Sequence, residues 1–359
     1  MSLRTWEEIA ASIKSPKTSE IYRYGLSKYM AYRKVSDIGE LLATDSNPRL
    51  IQASIIEYLV NLKQKGLSYS YRNVQLSSIK HFYRMNDIEL NWFRIAKYLG
   101  EHTKVARDRA YTNEEIQRLL LKADERMRVV ILLLASTGLR IGAIPGLQVA
   151  HLSKIEDYGL YQITVYQGST EEYYCFCTPE CAAAIDSYLA YRERYGEKLI
   201  SASPLIREQF DISEPDKIRN PRPISQATIG TFLQDLLARS GLITISRRTE
   251  DSQRGRKEDR KDVMRAHGFR KKVTTDMIRS KVDAQAREML LGHSIGLCNS
   301  YYRPDSQEML EEYLKAVDLL TINEENRLRI ENKYLKVQMS QMQELQNQID
   351  LVKRQLQID

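Results

Sequence analysis

Residues 161–180, YQITVYQGSTEEYYCFCTPE, break the rhythm of the chain around them. They alternate β-branched and aromatic residues about a central Gln-Gly-Ser-Thr, the pattern of a strand, a turn and a returning strand. The flanking segments instead space their apolar residues at helical period. A hairpin set among helices narrows the fold to a mainly α chain with a small antiparallel β-hairpin or sheet, an α+β architecture.

Residues 1–105 read as short amphipathic helices, with periodic segments at 20–34, 51–66 and 70–85. Gly66 is placed to end one helix, and Ser68 or Ser70 to begin the next. The stretch GEHTKVARDRA at 100–110 is polar and basic, as a linker is. A second unit opens at Tyr111, where Thr112 and Glu115 have capping-box spacing ahead of an apolar run. After the hairpin, helical patterns resume in ECAAAIDSYLAYRERYG and ATIGTFLQDLLARSG. Residues 247–262 hold seven basic and five acidic residues and read as a solvated loop. From Glu324 to Asp359 there is neither Gly nor Pro, and Leu328, Leu335, Met342, Ile349 and Leu356 recur every seven residues. Met339, Leu345 and Val352 form a less regular second seam, so a long helix of coiled-coil character is expected there. The organisation that follows is a helical domain over 1–105, a mixed domain over 106–321 and a C-terminal helix over 322–359.

The net charge is +7, and its distribution matters more than its size. Through Asp108 there are 17 Lys and Arg against 11 Asp and Glu, so six of the seven surplus charges lie in the first domain. Segregated positive charge is the footprint of a polyanion-binding surface. No apolar run approaches the roughly 18–20 residues of a membrane span. The N-terminal MSLRTWEEIAASIKS carries acids where a signal peptide needs an apolar core, which points to a cytoplasmic protein without a membrane partner. Cys175, Cys177 and Cys181 form one C-x-C-x-x-x-C with no His nearby, and Cys298 stands apart. That spacing does not suit a zinc site, so buried thiols and no metal are expected.

Four short pieces carry chemistry: STGLR with Arg140, HGFR with His267 and Arg270, LGHS with His293, and the pair Tyr301–Tyr302. Two arginines can grip the non-bridging oxygens of one phosphate. Histidines donate hydrogen bonds or move a proton, and a phenol oxygen is a nucleophile. His267 and Arg270 are three apart, on one face of a helix. Together they supply what phosphoryl transfer needs.

The order Arg … His-x-x-Arg … Gly-His … Tyr resembles the tyrosine recombinase, or phage integrase, family. STGLRIGAIPGLQVAHL is similar to that family's Thr-Gly-Leu-Arg box, and the text around SYYRP and EEYLKAVDLLTI is similar to archaeal integrases. The resemblance covers residues 110–305. It implies a core-binding N-terminal domain ahead of a catalytic one, and no cofactor. It also implies double-stranded DNA as partner, a homo-oligomer that is a tetramer on DNA, and association with the nucleoid. Arg140, His267, Arg270 and His293 take the catalytic positions, and the nucleophile, nine places after His293, falls on Tyr302, with Tyr301 as its neighbour. The helix EMLEEYLKAVDLL is expected to join protomers.

Two positions depart from the pattern. The family's acid three places after the first arginine is Ala143 here. Its hairpin lysine, which protonates the leaving 5′-oxygen, is replaced by Gln167, and the whole hairpin lacks lysine. An amide does not titrate usefully, and losing a general acid costs about 10²–10⁴ in rate. Lys271 and Lys272 are candidate substitutes. The resemblance therefore implies a site-specific recombinase or integrase acting through a 3′-phosphotyrosyl intermediate on a mobile element. The alternatives are a DNA-binding relative with reduced cleavage and a type IB topoisomerase-like enzyme.

Overall fold

The structure is a computed structural model that describes residues 6–43, 47–102, 109–211, 213–243, 265–294 and 304–328, with positions 339, 342–343 and 346–349 beyond. The chain forms two compact units, divided between Arg107 and Asp108.

The first unit holds helices α1 (Trp6–Ala11), α2 (Pro16–Arg33), α3 (Glu40–Ala43), α4 (Pro48–Gln64), α5 (Tyr69–Met85) and α6 (Trp92–Ala96). Side chains of Ser15, Asn47 and Ser68 each accept a backbone N–H from the first turn of α2, α4 and α5. Pro16 and Pro48 stand where a helix has no use for an amide hydrogen. The apolar faces meet in a core that includes Leu26, Tyr29, Ile55, Leu59, Ile79 and Phe82. Buried Arg72 donates to the carbonyls of Leu67 (2.8 Å) and Leu99 (2.7 Å), tying α5 to the end of the unit.

The second unit opens with the expected capping box: Thr112 Oγ1 accepts from the Glu115 amide, and the Glu115 carboxylate accepts from the Thr112 amide. Helices α7 (Asn113–Lys122) and α8 (Glu125–Thr137) lead to strands β1 (Leu152–Ile155), β2 (Leu160–Val165) and β3 (Tyr173–Phe176). Helices α9 (Pro179–Arg194), α10 (Pro215–Arg219), α11 (Gln226–Arg239), α12 (Arg265–Arg279) and α13 (Ala284–Leu290) follow, then the helices Ser306–Leu314 and Val317–Leu320. The run VVILLLA makes α8 the buried spine, with Val129 to Ala135 all in the core. The sheet is antiparallel in the order β1-β2-β3, with Ile163 opposite both Leu152 and Cys175. The hairpin read from the sequence is β2–β3. Strand β1 gave no signal, because it is four residues long and its two middle residues, Ser153 and Lys154, are exposed.

Two features brace this unit away from the hairpin tip. Glu197 sits between Arg192 and Arg207, all three buried, and each arginine also donates to backbone carbonyls. Cys175, Cys177 and Cys181 are buried free thiols in the core, and burial pushes the Cys175 and Cys181 thiols up. Among the described residues no group of three or more His, Cys, Asp or Glu side chains could hold a metal ion.

The helices Ser306–Leu314 and Val317–Leu320, expected to join protomers, bury Met309, Leu310, Tyr313, Val317 and Leu320 within their own chain. Tyr313 donates its hydroxyl to the Ser136 carbonyl at 3.0 Å. Ile322 belongs to the same core as α8, and its amide donates to Glu180. Of the heptad positions, Leu328, Met339, Met342 and Ile349 are exposed. Leu335, Leu345, Val352 and Leu356 lie outside the described residues, as do the loop 247–262 and Cys298. Among the described residues no helix is long and apolar enough to cross a membrane.

Candidate active site

Two helix ends build the site. Helix α8 stops at Gly138, which adopts φ +65° and returns its N–H to the Leu134 carbonyl. A Cβ there would lie 2.8 Å from the Leu291 side chain, so both the conformation and the close packing call for glycine. The turn buries Leu139 and leaves Arg140 exposed. Helix α13 ends at a second left-handed glycine, Gly292, with φ +65°. The Gly292 amide donates to Met289 O and the His293 amide to Glu288 O, both at 2.9 Å, which is the paired bonding of a Schellman motif.

Arg270, buried on α12, locks the two ends together. Its Nη1 donates to Gly138 O at 2.7 Å and its Nη2 to Leu291 O at 2.6 Å. Arg140 reciprocates from the turn after α8, donating Nη1 to Gly292 O at 3.1 Å. Each arginine thus meets the carbonyl end of a helix, where the backbone dipole favours positive charge. The same Arg270 Nη2 stands 2.7 Å from His293 Nε2, while His293 Nδ1 is 2.6 Å from Glu288 Oε2. His267, one turn before Arg270, is exposed and lines an open pocket of about 430 Å³ with Arg270, Lys271, Thr274 and His293.

The electrostatics of the pocket are lopsided. Burial, and then the nearby Arg140 charge, lower the Arg270 guanidinium's affinity for its proton. Burial raises the Glu288 carboxyl, but hydrogen bonds from His293 and Arg287 outweigh it and hold it below the usual carboxylate range. Those named contacts use three of the five Arg270 N–H groups and one of the five on Arg140. The remaining Arg270 N–H groups, beside a pocket lined by no carboxylate, are suited to an oxyanion.

The hairpin supplies the third wall. Tyr173, at the start of β3, packs its ring so closely on Gly292 that a Cβ there would stand 2.4 Å from Tyr173 Cε1. Its hydroxyl is buried without a hydrogen-bond partner among the described residues. Burial pushes the phenol up, against the pull of Arg270 and Arg140. Gln167 stands exposed in the turn between β2 and β3, beside Gly168 at φ +77°. Of the two lysines considered as substitutes, Lys272 is buried and committed, its Nζ 2.5 Å from Asp276 Oδ2 and 3.1 Å from Leu319 O. Lys271 alone of the pair lines the pocket. Ala143 is buried in the core.

The structure therefore sets Arg270 against His293, holds Arg140 on the Gly292 carbonyl one residue before it, and adds His267 to the pocket of Arg270 and His293. Tyr301 and Tyr302 lie outside the described residues. Two participants escaped the sequence reading, Glu288 and Tyr173. Glu288 was findable: once Gly292 is taken as the residue after a helix end, the Schellman bond brings residue 293 back over residue 288.

This fold is that of tyrosine recombinases. The chain is similar to a lambda integrase(75–356) dimer bound to a COC′ core site, at 16% identity over 85% of this chain and 96% of that one, TM-score 0.55. It is similar to XerH site-specific recombinase bound to difH substrate, at 17% identity over 81% and 78% of the two chains, TM-score 0.51. It is also similar to the Tn1549 transposon integrase in complex with transposon right end DNA, at 16% identity over 87% and 99%, TM-score 0.51. No curated protein matches the sequence. The model of the phage integrase family matches residues 109–308, more than half of the chain. The protein belongs to the phage integrase family and is a tyrosine recombinase.

Proposed function

We propose that this chain recombines double-stranded DNA at a specific site, for the integration or excision of a mobile element, with Tyr302 as nucleophile. The observation that carries the reading is the bracing of Arg140 and Arg270 on two helix ends, with Arg270 lining a pocket that His267 and His293 share. The Tyr302 oxygen attacks the scissile phosphorus and the 5′-oxygen leaves, so a 3′-phosphotyrosyl bond replaces the phosphodiester. The 5′-hydroxyl of a second strand then reverses the step. Arg140 and Arg270 hold the charge that gathers on the non-bridging oxygens, each contact worth on the order of 3–4 kcal/mol in a dry site. His267 takes the phenol proton. The leaving oxygen needs a proton from a group other than Gln167, and Lys271 is the candidate within the pocket.

The basic first unit supports DNA as the partner, and the similar lambda integrase, XerH and Tn1549 structures are complexes with DNA. One lambda integrase structure of the same fold is a tetramer bound to a Holliday junction, which supports a tetramer as the working assembly here. The test is a duplex carrying the native site, located by footprinting and nicked beside the scissile phosphate so that cleavage is irreversible. A covalent protein–DNA adduct is expected with the wild-type chain and none with Tyr302→Phe. An adduct that survives that substitution removes Tyr302 from the role.

Gln167 favours a second reading, a DNA-binding family member that cuts slowly. Tight, site-specific binding with an adduct that forms only after Gln167→Lys would select it.

A further inference from the structure

The contacts of His293 fix where its proton resides. A guanidinium N–H can only donate, so His293 Nε2, 2.7 Å from Arg270 Nη2, presents its lone pair. The ring proton is then on Nδ1, facing Glu288 Oε2 at 2.6 Å. In that tautomer His293 has no hydrogen to offer an anion on Arg270. It becomes a donor only by taking a second proton at Nε2. That N–H then opposes the Arg270 N–H, so the ring is driven off the arginine and toward whatever anion sits beside it.

We propose that Glu288 is a positioning residue that lets His293 take up one proton from solvent as a phosphate reaches Arg270, converting Nε2 from an acceptor of Arg270 into a donor to that phosphate. The inference rests on the recombinase reading only for the identity of the anion. The placement of Glu288 is not accidental to the fold. The Schellman motif of α13 returns the residue after Gly292 over the residue five before it, which puts the His293 ring against Glu288. Arg287 Nε holds the other carboxylate oxygen at 3.2 Å and so aims the carboxylate.

Charged and titratable groups face His293 from each element around it. Arg270, His267 and Lys271 come from α12, and Glu288 with Arg287 from α13. Arg140 arrives beyond α8 through the Gly292 carbonyl, and the Tyr173 phenol from β3 packs against that same glycine. Every cation in this set opposes a second proton on His293. Glu288 is the one carboxylate among the groups named that favours it. Arrival of a phosphate anion, singly charged in a DNA phosphodiester, shifts the balance toward the second proton, which couples binding of the anion to uptake of the proton.

The measurement uses the full chain labelled with ¹⁵N in histidine, inorganic phosphate as probe, and long-range ¹H–¹⁵N correlation to read the two ring nitrogens. The free protein is expected to show His293 as the Nδ1–H tautomer, and the phosphate-saturated protein to show both nitrogens protonated. Glu288→Gln keeps a hydrogen-bond acceptor at the position and removes the charge. It should retain the Nδ1–H tautomer, weaken phosphate roughly three- to tenfold at pH 7, and move the alkaline limb of binding to lower pH. Glu288→Asp should recover part of the loss. An Nε2–H tautomer in the free protein overturns the proposal, as does a Glu288→Gln chain whose phosphate affinity and pH profile match wild type. A Glu288→Gln chain that does not fold leaves the wild-type tautomer measurement as the deciding one. The adduct assay with Tyr302→Phe separates the two levels. Loss of the adduct result alone removes the recombinase reading, while the phosphate titration alone decides the role of Glu288.

Discussion

Replacing Gly292 with alanine strikes the point where the hairpin, Arg140 and α13 meet. Two costs can be worked from the structure. The residue adopts φ +65°, where a side chain costs roughly 1–2 kcal/mol. Its new methyl would stand 2.4 Å from Tyr173 Cε1 and 2.5 Å from Cζ, and overpacking of this kind costs about 1–3 kcal/mol. The combined 2–5 kcal/mol corresponds to a melting temperature lowered by roughly 5–15 °C for a unit of this size. Because Gly292 O is the acceptor for Arg140, DNA cleavage should fall by more than the folded fraction does. The assay is thermal unfolding of four proteins: wild type, Gly292→Ala, Tyr173→Ala and the double variant. In the double variant the steric part disappears and the backbone part stays, so the cycle should return a favourable coupling of about 1–3 kcal/mol. Melting of Gly292→Ala within 2 °C of wild type, or a coupling near zero, would refute the idea that this close approach holds the site's third wall.

Other perturbations are as direct. Gln167→Lys should raise the rate of adduct formation by about a hundredfold, the lower end of what a general acid supplies; an unchanged rate would move the source of the leaving-group proton off the hairpin tip. Lys272→Met should lower stability in urea titration, by leaving buried Asp276 with only Arg279 at 3.5 Å as its ion-pair partner among the described residues. It should change the adduct rate of the folded protein little, and a hundredfold loss of rate at unchanged stability would return Lys272 to catalysis. Glu197→Ala leaves Arg192 and Arg207 buried and uncompensated, a loss of about 3–5 kcal/mol in chemical unfolding, and a surface-like effect under 1 kcal/mol would contradict the buried network. Acid should act through the same carboxylates. Glu115, Glu197 and Glu288 all sit below the ordinary 4.5 in the folded chain, so their stabilisation is complete above that pH and is lost as pH falls through the depressed folded values. Melting temperature should accordingly hold level from pH 7 to about 5 and drop below 4.5, with a shallower drop in Glu197→Gln.

The sequence and the structure agree where a local signal acts alone. The period-two run at 161–176 became β2 and β3, the capping pair Thr112 and Glu115 began α7, and Ser68 began α5. Residues whose role depends on distant partners were not legible. Lys272 looked like a substitute proton donor beside Arg270, but its place on α12 commits it to Asp276 and the Leu319 carbonyl. Strand β1 had no alternation of its own and exists because β2 offers it a ladder. The resemblance gave the helix 306–314 a role between protomers but not its place in its own chain, where its apolar face packs with Val273, Met277 and Leu290.

The bracing of Gly138 and Gly292 by the two arginines bears on how the family's signature should be read across relatives. Arg270 closes the ends of α8 and α13 whether or not DNA is ever cut, so folding alone is enough to preserve it. Gln167 closes nothing and is exposed. A lineage that stopped cutting would thus change its hairpin tip first and its buried arginine last. The order in which the signature erodes becomes a record of what each residue was being kept for.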